Sequence, residues 1–258
     1  MEAITSRENA KIKYACRLRE EEKLRAADGL FFAEGPKLCL ELARGCELRT
    51  LYATAAALAR TPALSRFADR TVEVAPHVAE KLAGTRSSQD VFGIFVQPVT
   101  DADALLGTAR RVLALEGVQD PGNVGTLLRS AAAFGFDAVL LGPGCAAPFA
   151  PKTLRASMGA AGRLPFAAVR DLPAALTALR SRGVVCLAAA LYHSEPLDTA
   201  PRAYPGGLCV VIGSEGRGLT DPTVAACDRA VRIPMTDLVE SLNAGVAGSV
   251  LLWHFRGV

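Results

Sequence analysis

The chain has 258 residues, half of them hydrophobic, with 29 lysines and arginines against 26 aspartates and glutamates and a net charge of +3. That length suits one large domain or two ordinary ones, the apolar share excludes a disordered chain, and the small charge selects no class of partner. Seven cysteines, an odd number with no CxxC pair, support neither a zinc site nor a disulfide framework and suit reduced thiols in a cytoplasmic protein.

In chain order, Met1–Asn9 is polar and lacks the apolar region of a signal peptide. No uninterrupted apolar run approaches the roughly 18 residues of a membrane span. The longest candidate, Leu242 to Phe255, contains Asn243, Ser249 and His254. Residues 5–25 carry Arg7, Lys11, Lys13, Arg17, Arg19, Lys23 and Arg25, with Ile12, Cys16 and Leu18 on a narrow apolar helical face. A solvated helical surface and an arm that contacts phosphates both fit this pattern, and charge alone favours the first.

Short strands are expected at Leu30–Ala33, Leu48–Ala53, Val72–Val74 and Val91–Val96, with a helix starting at Glu34-Gly35-Pro36. Together they give a small α/β domain over residues 1–98. Its polar stretch Thr85 to Asp90 is a candidate ligand-side loop. Gln97 to Asp103, with Pro98, marks the expected break, and residues 99–109 follow as a linker. From residue 110 the pattern changes to buried strands alternating with helices. Val112–Leu115, Ala138–Leu141, Val184–Ala189 and Leu208–Ile212 are unbroken apolar runs, as strands covered on both faces require. Leu164–Val169 and Ala230–Ile233 are weaker members. Helices are expected at Asn123–Phe134, Leu172–Ser181 and Leu242–Phe255. Residues 110–258 therefore read as an α/β domain with a parallel sheet.

Three strand-to-helix junctions carry polar groups, the place where open α/β sheets bind ligands. The first runs from Glu116 through Gly122, Asn123 and Gly125 to Arg129. Asparagine is a common helix N-cap, and a solvated arginine on a helix is ordinary, so neither residue is informative alone. The second is Gly213-Ser214-Glu215-Gly216-Arg217-Gly218, which lacks the Gly-Lys-Ser/Thr ending of a Walker loop. The third joins Arg232-Ile233-Pro234 to Ser241-Leu242-Asn243 and then to a helix of small residues, Ala244, Gly245, Ala247, Gly248 and Ser249. Two glycines cost a helix about 1 kcal/mol each against alanine. Close backbone packing, within the domain or against a second subunit, is the expected compensation. Gly142 to Ala147 nominally fits a dinucleotide fingerprint, but Pro148 and Pro151 interrupt the helix start and the next acidic residue is Asp171. It reads as a turn. His193 reads as a loop histidine, and no cluster suggests a metal.

Together and in this order, N-V-G-T-L-L-R-S-A, I-G-S-E-G-R-G-L and R-I-P-M-T-D-L-V-E-S-L-N-A-G-V-A resemble the three motifs of the SpoU family of RNA ribose 2′-O-methyltransferases. Phe31 to Lys37 is similar to the small substrate-binding domain that many members carry in front. The resemblance implies a parallel sheet whose C-terminal segment forms a trefoil knot, a topology that general rules make rare. It implies S-adenosyl-L-methionine held bent in that knot, an RNA substrate (ribosomal more than transfer RNA), and a homodimer with no metal and no membrane. Carried onto matching positions, Asn123, Arg129, Glu215, Ser241 and Asn243 form the active-site polar set. Ala189, Ala190, Leu191, Gly213, Ile233 and Leu242 match cofactor-contacting positions. An arginine keeps its proton in proteins, so Arg129 reads as a phosphate and ribose clamp. The departure from the family pattern is Ala244-Gly245, where relatives more often carry larger or hydroxyl residues. A non-catalytic RNA-binding module of the same fold, and a dinucleotide-dependent oxidoreductase reading through Gly142–Ala147, are the alternatives.

Overall fold

The computed structural model describes residues 3–256. The outermost residues of the expected 1–98 and 110–258 divisions, and the first two of Met1–Asn9, lie outside that range. The chain forms two compact units. One comprises Met1–Pro98 with Phe149–Arg163, the other Val99–Pro148 with Leu164–Val258.

The first unit runs α1 (Ala10–Glu20), α2 (Glu22–Asp28), β1 (Leu30–Glu34), α3 (Pro36–Leu42), β2 (Leu48–Ala53), α4 (Ala55–Arg60), β3 (Thr71–Glu73), α5 (Pro76–Leu82) and β4 (Val91–Val96). Its sheet has the order β1-β4-β2-β3, with β4 antiparallel to both neighbours and β3 parallel to β2. Phe31, Phe32, Phe92 and Phe95 are all buried in it. The basic stretch at the N-terminus is largely committed to structure. Arg7 pairs with Glu80, Lys13 with Glu8 and Arg17 with Glu21. Arg19 donates to the carbonyls of Lys81, Leu82 and Ala83, and Arg25 to those of Leu18 and Arg19. These two guanidiniums satisfy carbonyls that a helix C-terminus leaves unpaired. In the Thr85–Asp90 loop, the Glu34 carboxylate accepts from Gly84 N and Thr85 Oγ1.

The second unit contains α6 (Ala102–Thr108), β5 (Arg111–Leu115), α7 (Pro121–Ala133) and β6 (Ala138–Leu141). The chain then supplies α8 (Pro151–Ser157) to the first unit. It returns as β7 (Phe166–Ala168), α9 (Leu172–Ser181), β8 (Val185–Ala189), β9 (Glu195–Pro196), β10 (Leu208–Ile212), α10 (Asp221–Ala225), β11 (Arg229–Arg232) and α11 (Ala244–His254). The seven strands are ordered β7-β6-β5-β10-β8-β11-β9, and every pairing is parallel. This is the expected parallel α/β sheet. Val112, Ala114, Cys209 and Val211 face one side, packed with Leu105, Leu172, Leu176 and Leu179 of α6 and α9.

Several elements differ from the sequence expectations. Residues 99–109, read as a linker, hold α6, because the Asp101 side chain caps it at Asp103 N and Leu105 and Ala109 bury themselves in the core. Helix α7 starts two residues early, since Asp120 caps it and Pro121 occupies the first turn, where no amide donor is needed. Helix α11 begins at Ala244 rather than Leu242, with Asn243 as its cap. All seven cysteines are free. Burial pushes the Cys39 and Cys227 thiols up to about 12.

Candidate functional site

The site grows from the two central strands. The chain leaves β5 toward β6 on one side and β10 toward β11 on the other, so the loops after β5 and β10 open at a topological switch point. Adjacent pairing of Ile212 with Leu115 sets their ends side by side.

Asn123 is not the cap of α7. The Asp120 carboxylate takes that task, accepting from Asn123 N at 3.2 Å. The Asn123 side chain is thereby released, and its Nδ2 donates to Glu215 Oε1 across 92 residues of sequence. The loop that presents Glu215 is a tight one. Ser214 and Gly218 exchange backbone hydrogen bonds at 3.1 and 3.0 Å. A Cβ at Gly213 would lie 2.3 Å from the Gly218 carbonyl carbon, so only glycine lets this loop fold back on its strand.

Helix α11 brings the third junction. It lies against α7 so closely that a Cβ at Gly248 would stand 2.2 Å from Leu127 Cδ2, and Ser130 Oγ and Ser249 Oγ are 2.7 Å apart. The small residues singled out in the sequence therefore serve helix contact within this unit. At the N-terminus of α11, Asn243 Oδ1 accepts from Val246 N. A Cβ at Gly245 would meet Asn123 Oδ1 at 3.0 Å and Asn243 Oδ1 at 3.1 Å. Two amide oxygens from distant helices thus converge on one point, with the Glu215 carboxylate bound to one of the amides. Gly245, noted as a departure from the family pattern, is the residue whose missing side chain leaves that point open.

Of the expected polar set, Asn123, Glu215 and Asn243 are brought together. Arg129 is exposed on α7, six residues past Asn123 and so about 9 Å further along the axis. Ser241 is exposed in the loop before α11. Among the described residues no hydrogen bond or ion pair holds either of them. Ala189 ends β8 and Ala190 follows it, both half-buried, and Ala190 N donates to Val231 O of β11. Leu191 beyond them is 44% exposed, and Ile233 and Leu242 are half-buried. The Gly142 loop opens no helix: Gly142 N donates to Leu115 O, Gly117 N donates to Pro143 O, and α8 starts only at Pro151. Among the described residues no group of three His, Cys, Asp or Glu is placed to hold a metal, and no helix is long and apolar enough to cross a membrane.

One residue named in the first junction had no task assigned to it from the sequence. Glu116, at the end of β5, accepts hydrogen bonds from the Thr220 amide and hydroxyl and from the Thr223 hydroxyl. Its position at a strand terminus facing a glycine loop was the available signal.

A profile of the SpoU rRNA Methylase family matches residues 110–253, and one of the MRM3-like substrate binding domain matches residues 9–93. The 23S rRNA (guanosine(2553)-2'-O)-methyltransferase RlmP of Bacillus subtilis (strain 168) is 38% identical over 152 residues, which are 59% of this chain and 60% of RlmP. The matched region therefore spans less than two thirds of that relative. An uncharacterized tRNA/rRNA methyltransferase of Synechocystis sp. is 33% identical over 98% of this chain and 93% of its own. The crystal structure of an AdoMet bound rRNA methyltransferase from Sinorhizobium meliloti superposes with a TM-score of 0.86 at 27% identity, covering 99% of this chain and 97% of that one. With the family profile matching more than half of its length, the chain belongs to the SpoU rRNA methylase family.

Proposed function

We propose that this chain is an RNA ribose 2′-O-methyltransferase dependent on S-adenosyl-L-methionine, with ribosomal RNA as its substrate class. The observation that carries the reading is the convergence of Asn123, Glu215 and Asn243 from three separate junctions. RlmP, named as an rRNA 2'-O-methyltransferase, and the AdoMet-bound Sinorhizobium enzyme support the activity and the cofactor.

The residues present fit the cofactor. Two amide oxygens and a carboxylate make a region of negative potential that suits a sulfonium cation. The loops that follow β8 and β11 carry exposed apolar side chains, Leu191, Leu238 and Val239, which are available to cover an adenosine ring. Gly213, Ile233, Leu242, Ala189, Ala190 and Leu191 would hold it, chiefly through backbone groups. When bound, S-adenosyl-L-methionine supplies an electrophilic methyl group.

The chain's own residues supply alignment, which is worth about 7–11 kcal/mol of barrier in well-oriented reactions. Glu215 fixes the Asn123 amide through Nδ2, which turns Asn123 Oδ1 toward the opening above Gly245. Asn243 fixes its own oxygen by capping α11. Ser241 borders the same loop and orients the ribose. Arg129 clamps an RNA phosphate and the ribose as a permanent cation. RNA is the substrate because it alone carries the 2′-hydroxyl.

The division of labour follows the two units. The unit of residues 1–98 with 149–163 binds substrate RNA, and the unit of 99–148 with 164–258 carries the chemistry. The expected trefoil knot is supported by the place of β11 between β8 and β9, which are neighbours in sequence. A homodimer is supported by the apolar stripe Val246, Val250 and Trp253 on α11, which lines a groove of about 300 Å³ with Thr126. The enzyme works in the cytoplasm, where its RNA is found.

Transfer of a labelled methyl group to ribosomal RNA, with the 2′-O-methyl position mapped, tests this reading. Wild-type protein is expected to transfer, and Arg129→Ala to lose transfer while still binding the cofactor. Wild-type protein that binds RNA without transferring a methyl group would favour a non-catalytic RNA-binding module. Near-normal turnover by Arg129→Ala would remove the clamp.

A further inference from the structure

The Asn123–Glu215 contact depends on where the loop after β10 lies, and Glu215 itself is exposed on that loop. The near end of the loop is fixed by the sheet: β10 pairs with β5 through Ile212, and Glu116 N donates to Ile212 O at 2.9 Å. Its far end is fixed by the Glu116 side chain. One carboxylate oxygen accepts from Thr220 N at 2.8 Å. The other accepts from Thr220 Oγ1 at 3.0 Å and from Thr223 Oγ1 at 2.6 Å. Thr223 is fully buried in α10. Glu116 therefore reaches from the strand that leads into Asn123 to the residue that closes the Glu215 loop, and joins the two junctions with three hydrogen bonds to one charged group. Hydrogen bonds to a charged acceptor are the strong ones. Bonds inside the loop, such as Arg217 N to Ser214 Oγ at 3.2 Å, shape it but do not place it.

We propose that Glu116 is a positioning residue for methyl transfer, holding residues 213–220 so that Glu215 meets the Asn123 amide. The role in methyl transfer rests on the function proposed above, but the placement of Glu215 by Glu116 does not. Leu219, Ala226 and Cys227 still pack on the core, so the unit is expected to fold without the carboxylate.

Glu116→Ala tests it, because it removes both oxygens that Thr220 and Thr223 bond, whereas a glutamine could keep all three contacts by turning its nitrogen to the two hydroxyls. Turnover is expected to fall about 10- to 100-fold, with KM for RNA and for the cofactor within about threefold of wild type. Glu215→Ala in the same background is expected to add less than about threefold to the loss caused by Glu215→Ala alone, because both changes break one contact. A generally loosened structure would instead give multiplying losses and a shifted KM. The second readout needs no activity. In the full chain, the Asn123 side-chain amide resonances are expected to move in Glu116→Ala toward their positions in Glu215→Ala, and the Gly218 and Thr220 amides to exchange at least tenfold faster. Wild-type turnover, multiplying losses, or unmoved Asn123 resonances would each overturn the proposal. If the wild-type chain proved unable to methylate RNA, the proposed function would fall while the resonances and exchange still decided the role of Glu116.

Discussion

The two units are filled in opposite ways. The first is closed by large rings: Phe31 stacks on Phe95 at 5.5 Å and on Phe149 at 4.4 Å, and Phe32 on Phe92 at 5.9 Å. The second is filled by alanine, valine, leucine and cysteine, with glycines where its helices touch. Rings cover much area with few residues, so one remote segment, Phe149–Arg163, completes the first interior. Small residues cover little area but let backbones approach. That approach brings Asn123 and Asn243, on α7 and at the N-terminus of α11, to a common point. The same chain thus spends bulk where it needs a stable platform and sacrifices bulk where it needs polar groups to meet.

Breaking the aromatic side should cost most. Phe149 is buried against Phe31 although it lies more than a hundred residues away in sequence. Phe149→Ala in the full chain is expected to destabilise the first unit by about 3–5 kcal/mol, read as a lower urea midpoint for its transition. A change below 1 kcal/mol would mean that the segment merely leans on that unit.

Filling the small-residue side should cost less. Alanine at Gly248 would overlap the Leu127 side chain. Overpacking of this kind costs about 1–3 kcal/mol, and relief of glycine's poor helix propensity returns about 1 kcal/mol. A net loss of about 1 kcal/mol in thermal unfolding is expected, and a gain in stability would show that α7 and α11 have slack.

The smallest effect concerns pH. Burial, helped by Arg202 and Arg256 and opposed by Asp198, holds His254 below the ordinary histidine range. The folded chain therefore binds that proton less readily than the unfolded chain. Its contribution is fully present above about pH 6.5 and is lost as the pH falls toward the lowered value. A modest drop in melting temperature between about pH 7 and pH 5 is expected, and a smaller drop in His254→Gln. Equal drops in the two proteins would assign the pH dependence to other groups.

What the sequence revealed follows the same contrast. The strands β5, β6, β8 and β10 were legible because each holds an unbroken apolar run with little exposure, as Leu208–Ile212 shows, whereas β9, Glu195–Pro196, carries no such signal. Helix α6 was not, because seven residues are too few to show a helical period and the burial of Leu105 and Ala109 comes from α9 and the sheet. The adoption of Phe149–Arg163 by the first unit is a tertiary fact with no local signal. At the site, residue types and order were readable, but the division of tasks was not. Asn123 sits where a cap is common, and only the structure shows Asp120 taking the cap and releasing the amide for Glu215. Glu116 was passed over because its partners lie 104 and 107 residues away.

The convergence of three junctions is tested most directly by Asn123→Asp, an exchange of nearly equal shape that sets a second carboxylate against Glu215. Like charges at that distance repel, so the pair should part. Methyl transfer to ribosomal RNA, measured with labelled S-adenosyl-L-methionine at neutral pH, is expected to fall at least about 100-fold (about 2.7 kcal/mol in barrier) while the melting temperature stays within a few degrees of wild type. Transfer at the wild-type rate by Asn123→Asp would contradict a site built on the Asn123–Glu215 contact.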